Sequence, residues 1–328
     1  MSESNSLTNS VSLEVWSARY LMARRLKNYS VLSIDGDRRD MRKFIRWCHE
    51  RELYYPQEIT PPILTRYRRY LFQCRKQDGQ PLSQRTQRAY LVPLRGFFSW
   101  LTREKVLHYN PASELELPRM PYTLPQHLLS TDEVELILNH VDITAPLGLR
   151  NRAMLETLYS TGIRRQELSQ LAINDIDLDQ GMVMVRQGKG QKDRRIPIGD
   201  RALFWLEQYL RDQRPYIRHA NQTEWLFIST NGLPLHPANL GVIVRRYIDA
   251  AGIEKVGCCH LFRHSMATAM LENGADIRFI QQMLGHADLK STQIYTQVSN
   301  QALKAVHSKT HPAKMQRKAT DEEKNEDE

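Results

Sequence analysis

Four prolines, Pro111, Pro118, Pro121 and Pro125, fall within the sixteen-residue segment NPASELELPRMPYTLP, residues 110–125. Each fixes its own φ and removes a backbone donor, so neither a helix nor a central strand can run through such a stretch. The segment reads as an extended linker. Directly after it, Ser130-Thr131-Asp132-Glu133 has the capping-box pattern that opens a helix. The 328-residue chain therefore divides into two pieces of ordinary domain size. The expected division is an unstructured 1–10, a helical domain over 11–115, a linker over 116–128, a second domain over 129–308 and a charged, unstructured tail over 309–328.

Charge separates the two pieces as well. The net charge is +9; residues 1–122 hold 21 Lys+Arg against 12 Asp+Glu, and the remainder holds 25 of each. All the basic excess thus lies in the first piece. A polyanion suits that distribution, although a basic domain with solvated faces is the plainer alternative. Helical periodicity begins at Leu13, with Trp16, Tyr20 and Leu21 on one face and Arg19, Arg24, Arg25 and Lys27 on the other. A second helix is expected over about Asp37–Glu52, with Met41, Phe44, Ile45 and Cys48 inward and Arg38, Arg39, Arg42, Lys43 and Arg46 outward. A third starts after Pro61-Pro62 and contains Tyr67–Leu71, and 76–81 is a loop. A fourth starts at Ser83, with Arg85, Arg88 and Arg95 on its polar side and Leu91, Leu94, Phe97 and Phe98 toward a core. Arg42, Lys43, Arg85 and Arg88 are the candidate phosphate contacts of these basic faces.

The second piece mixes helices with short β-rich runs. A helix ends at Thr161-Gly162 and another restarts at Ile163–Leu168. Runs at 176–179, 182–187 and 194–198, separated by glycine-containing turns, predict a three-stranded antiparallel meander with Lys189 at its second turn. Helices follow at about 201–214 and 237–251, with the apolar run Trp225–Ile228 between them. The stretch from His260 to Tyr295 then reads helix, stop, helix, stop, helix. The first stop is Gly274; the second helix carries Ile277, Ile280, Met283 and Leu284 and ends at Gly285. Its polar residues are His260, Arg263, His264 and His286, followed by Tyr295. Singly, each has an ordinary explanation: a core tyrosine, a capping histidine, a buried structural His264. Together, guanidinium and imidazole groups near a hydroxyl nucleophile are what phosphoryl transfer requires.

The sequence H-x-x-R-H, then L-G-H, then a tyrosine nine residues beyond that histidine resembles the C-terminal signature of the tyrosine recombinases, the phage integrase family, and most closely its Xer-like bacterial members. T-G-x-R-x-x-E-L followed by a G-K-G hairpin resembles the rest of that pattern. The resemblance implies a mainly α fold with a small antiparallel sheet: an N-terminal four-helix, SAM-like core-binding domain and a C-terminal α+β catalytic domain, closing as a C-shaped clamp on DNA. It implies six catalytic positions, Arg164, Lys189, His260, Arg263, His286 and Tyr295. Tyr295 would attack a scissile phosphate, leaving a 3′-phosphotyrosyl bond and a free 5′-hydroxyl. The two arginines would clamp the phosphate oxygens. Lys189 would protonate the leaving oxygen, His260 would assist as base, and His286 would hydrogen-bond a phosphate oxygen. Glu167 would support the site rather than act in it. Cys259 and Phe262 stand where relatives often carry Pro and Leu.

The implied function is site-specific recombination of double-stranded DNA without metal, ATP or other cofactor. A homo-tetramer on paired sites, or a hetero-tetramer with a related recombinase, would carry it out, with Gln301–Ser308 docking as a short amphipathic helix. Type IB topoisomerase-like cleavage and religation, or a catalytically inactive DNA-binding relative, are the alternatives. Cys48, Cys74, Cys258 and Cys259 show no zinc spacing and read as reduced thiols of a cytoplasmic protein. MSESNSLTNS lacks the features of a signal peptide, and no run of 18 apolar residues predicts a membrane span.

Overall fold

The computed structural model describes residues 11–120, 127–186 and 193–285. The chain forms two compact units, Met1–Tyr122 and Thr123–Glu328. The first is helical: α1 (Leu13–Leu26), α2 (Val31–His49), α3 (Pro61–Gln73) and α4 (Gln84–Arg103). Its core is aromatic. Phe44 of α2 meets Tyr67 of α3 edge-on at 4.9 Å between ring centroids, and Trp47 meets the same ring at 5.1 Å. Tyr20 of α1 meets Phe97 of α4 at 5.6 Å. Large rings crossing at steep angles bury much area and fix the helix spacing.

The second helix starts six residues earlier than its sequence suggests. Ser30 is its N-cap, accepting the Ser33 N–H at 3.2 Å. Val31 and Leu32 in its first turn are exposed, so that turn adds nothing to the apolar stripe, and Gly36 interrupts the pattern. The cap, rather than burial, starts this helix. Within α4, Pro93 is buried among the core positions.

The second unit starts with α5 (Thr131–Asn139), whose Ser130–Glu133 capping box forms as expected: Glu133 N–H to Ser130 Oγ at 3.1 Å and Ser130 N–H to Glu133 Oε2 at 2.6 Å. α6 (Gly148–Thr161), α7 (Arg165–Ser169), the strands β1 (Ile176–Asp177), β2 (Met182–Val185) and β3 (Arg194–Pro197), then α8 (Asp200–Asp212), α9 (Pro237–Ala250), α10 (Cys259–Glu272) and α11 (Ile277–Leu284) complete the described elements. The strands form the antiparallel sheet β1-β2-β3, with Val183 opposite Ile196 and Val185 opposite Arg194. Trp225–Ile228 is buried over Leu226, Phe227 and Ile228 and, among the described residues, makes isolated bridges, Ala172 to Trp225 and Ile228 to Pro234. α6 lies at the centre, packed against α8 and α10. Its residues Ala153, Met154, Leu155 and Leu158 are fully buried, which places its C-terminal turn, and Arg164 just beyond, against the end of α11.

Candidate active site

Arg164 is held by the turn between α6 and α7. Gly162 ends α6 at φ +58°, a conformation natural to glycine, and a Cβ there would stand 2.0 Å from Met266 Cε. The chain then reverses, and Arg164 enters α7 in extended conformation as its N-cap. Its backbone N–H donates to Glu167 Oε2 at 2.8 Å and its Nη1 to Glu167 Oε1 at 2.8 Å, while Nη2 donates to the Gly285 carbonyl at 3.0 Å.

Arg263 comes from α10 and is 3% exposed. Its Nη1 donates to the Gly162 carbonyl at 2.6 Å and its Nη2 to the Leu284 carbonyl at 2.7 Å. A third guanidinium joins them. Arg194 of β3 donates through Nε to the Met283 carbonyl at 2.9 Å, and through Nη1 and Nη2 to both oxygens of Glu167 at 2.9 and 2.7 Å. Three arginines from three parts of the chain thus take three successive carbonyls, 283, 284 and 285, at the C-terminal end of α11. Those carbonyls lack intrahelical partners and carry the negative end of the helix dipole, so cations belong there.

Glu167 is buried and accepts four hydrogen bonds, which fills a carboxylate's four acceptor positions. Burial alone would raise its pKa; the Arg194 hydrogen bonds, the Arg164 N–H and both guanidinium charges override it and bring the carboxyl down to about 2. It is a fixed anion and no proton donor near neutral pH. His260, at the start of α10, is exposed at its edge. Desolvation by the surrounding protein, then the charges of Arg263, Arg165 and Arg164, lower its pKa. An imidazole held neutral in this way is able to accept a proton. His264, one turn on and 6.3 Å away between ring centroids, is half-buried, and burial followed by His260 and Arg263 brings it down to about 4.

Arg164, His260 and Arg263 are therefore brought into one neighbourhood. Lys189, His286 and Tyr295, with the segment 301–308, lie outside the described residues. Arg194 escapes sequence reasoning: an arginine in a strand next to a second arginine gives no local sign that it reaches a carbonyl 89 positions away. All four cysteines are free; Cys258 and Cys259 immediately precede His260, and the Cys258 thiol is brought to about 6, first by its hydrogen bond with Cys259 and also by Arg165 and Arg245.

In the first unit, Arg42 on α2 and Arg85 on α4 are exposed. Lys43 is partly covered, its Nζ 4.4 Å from the centroid of the Tyr90 ring, and Arg88 turns toward the Pro118 carbonyl at 3.4 Å. Arg39, Arg42, Lys43, Arg46, Trp47 and Tyr70 share one surface recess. Arg24, expected outward, is instead half-buried, ion-paired to Asp37 and 4.1 Å from the Tyr29 ring centroid. The carboxylate offsets the cost of covering that charge with the helix pair around it.

Residues 127–302 match the Phage integrase family, and residues 15–116 match the Phage integrase SAM-like domain. The chain belongs to the phage integrase family. Among curated members of the family, it is 50% identical to Tyrosine recombinase XerC 2 of Ralstonia nicotianae, over 88% of this chain and 83% of that one. It is 36% identical to Tyrosine recombinase XerD of Listeria innocua, over 87% and 94%. Among solved family structures, the post-cleavage complex of the XerH site-specific recombinase bound to a palindromic difH substrate matches with TM-score 0.68 at 26% identity, covering 87% of this chain and 82% of that one. As a phage integrase family member of this Xer-like kind, the chain is a tyrosine-type site-specific recombinase. Among the described residues, no helix is long and apolar enough to cross a membrane.

Proposed function

We propose that the chain cuts and rejoins double-stranded DNA through Tyr295, in the cytoplasm and as a homo-tetramer on paired sites or a hetero-tetramer with a related recombinase. The Tyr295 hydroxyl attacks the scissile phosphorus, its P–O bond forming as the P–O5′ bond breaks. The tyrosine proton passes to neutral His260, and Lys189 supplies a proton to the departing 5′ oxygen. Arg164 and Arg263 face the charge that gathers on the non-bridging oxygens, and His286 donates a further hydrogen bond. Religation by a 5′-hydroxyl reverses each step, so the phosphotyrosyl ester conserves the bond and no external energy source enters.

The observation that supports this reading is the pair of guanidiniums at the end of α11. Arg164 and Arg263 are fixed by the protein's own carbonyls and carboxylate before any phosphate arrives. Donors already in place lose no energy to reorganisation when charge develops. His286 follows in sequence directly after Leu284 and Gly285, whose carbonyls these arginines hold.

Incubation with a nicked suicide duplex, from which the cut end diffuses away, tests it. The native chain should accumulate a covalent adduct at the 3′ side of the break, and Tyr295→Phe should form none while binding the duplex as well as native, since affinity rests on many phosphate contacts. An adduct formed equally by the Phe variant overturns the assignment. Joined products from two duplexes, as opposed to relaxation of one, separate recombination from topoisomerase-like religation.

A further inference from the structure

We propose that Arg194 is a positioning residue of this site: it locks the C-terminal end of α11 to Glu167, and through Glu167 to Arg164. The inference rests on the reading of Arg164 and Arg263 as phosphate ligands and adds a residue whose described hydrogen bonds go to Glu167 and the Met283 carbonyl.

Three observations carry it. First, the contacts made by Arg194 are internal. Its side chain is 11% exposed, Nε is given to the Met283 carbonyl, and both terminal nitrogens are given to Glu167. A planar guanidinium spreads its donors over three nitrogens in a fixed fork that fits two carboxylate oxygens and a carbonyl; an ammonium offers its three donors from a single nitrogen and lacks that fork. Second, its strand anchors it. Arg194 pairs with Val185 across the β2–β3 ladder, while its neighbour Arg195 points the other way and pairs with Asp177 at the surface. The alternation of a strand therefore sends Arg194 alone toward α11. Third, α11 is shaped to receive it. Gly285 ends the helix at φ +62°, and a Cβ on it would stand 3.0 Å from Cζ, Nε and Nη1 of Arg194. The residue that lets the helix stop is also the one whose missing side chain makes room for the guanidinium.

Glu167 connects the two arginines. Each of its oxygens takes one bond from Arg164 and one from Arg194. Without Arg194, Glu167 loses two of its four hydrogen bonds, the Met283 carbonyl loses its donor, and the end of α11 is joined to that carboxylate through Arg164 alone.

The test uses the full chain with Arg194→Gln and Arg194→Lys. Amide hydrogen exchange over Gln281–Gly285 should rise about tenfold in both, while exchange in the core of α6 stays as in native. Duplex affinity should stay within about threefold, because all three Arg194 nitrogens are engaged by Glu167 and the Met283 carbonyl. Adduct formation on the suicide duplex should slow on the order of 100-fold, the cost of sub-ångström misplacement of charged groups. A variant carrying both Arg194→Gln and Glu167→Gln should be no slower than the slower single variant, since the two act as one unit. Unchanged exchange at the end of α11 overturns the lock, and so does an adduct rate within threefold of native, a loss matched by lost affinity, or multiplicative effects in the double variant. The exchange arm needs no DNA, so it decides the lock independently of the chemistry. An adduct that survives Tyr295→Phe sinks the reaction reading and leaves the exchange result standing.

Discussion

At Glu167 the physics of this site is concentrated in one side chain. It is a buried carboxylate whose burial penalty is outweighed by four hydrogen bonds and two cations. Its pKa is brought from 4.5 to about 2. The folded chain therefore binds fewer protons here than the unfolded chain does between these values. The stabilisation is fully present above about pH 4.5 and is lost as pH falls toward 2. The depression corresponds to roughly 3 kcal/mol at neutral pH. Glu167→Gln removes the charge at constant shape and leaves two guanidiniums facing an amide. Denaturant unfolding of the catalytic unit should show a loss of roughly 3 kcal/mol at pH 7 that shrinks steadily below pH 4.5. A difference independent of pH would mean the carboxylate is not the ionised hub of this cluster. Residues of this kind are only partly legible in sequence. Arg164, His260 and Arg263 stand out because their spacing repeats a known pattern on either side of a helix stop. Glu167 is visible as the acidic position in the first turn of α7. Arg194 is invisible, because its role exists only once β3 and the end of α11 have been brought together.

Elements set where those residues stand, and their ends matter more than their middles. The stripe Ile277, Ile280, Met283, Leu284 and the stop at Gly285 are readable from periodicity and from glycine's ease at positive φ, and α11 has those bounds. The start of α2 is not readable, because its first turn is exposed and rests on Ser30. The end of α11 can be probed by comparing two glycines. Gly252 has φ +69° and open space within 4 Å of where a Cβ would stand, whereas Gly285 has φ +62° with the Arg194 guanidinium at 3.0 Å. Alanine at either position meets the same backbone strain, about 1 kcal/mol. Only Gly285→Ala also displaces Arg194. Gly285→Ala should lose more stability in thermal unfolding than Gly252→Ala, since it also strains the Arg194 hydrogen bonds, and it alone should lose adduct formation, on the order of 100-fold. Equal adduct rates in the two variants would show that the guanidinium tolerates displacement and that the helix end needs no such close support.

On the scale of the whole molecule, each unit has a core built from its own residues. The buried cluster from Leu13 to Leu115 belongs wholly to the first, and that from Leu129 to Leu284 wholly to the second. A unit with an aromatic core of its own, such as the one around Phe44, Tyr67 and Phe98, should fold when produced alone as residues 1–122. It would then carry the full charge excess, 21 basic against 12 acidic residues. Part of that charge already has an internal role. Arg19, Arg24 and Arg51 lie 4.7, 4.1 and 4.3 Å from the ring centroids of Trp16, Tyr29 and Trp47, and Arg24 also pairs with Asp37. Arg39, Arg42, Arg46 and Arg85 are exposed. If these are the residues that meet phosphate, each contact releases counterions, and log affinity should fall linearly with log salt by about 0.9 per phosphate. The isolated unit should therefore bind duplex DNA with a slope steeper than about −3 across several salt concentrations. Arg42→Gln with Arg85→Gln should make that slope shallower by about two and leave the unit's thermal unfolding unchanged, since both side chains are exposed. A flat slope in the native unit would mean that the basic faces of α2 and α4 serve something other than the nucleic-acid backbone. A slope that survives the double substitution would move the contact surface to the other side of these helices.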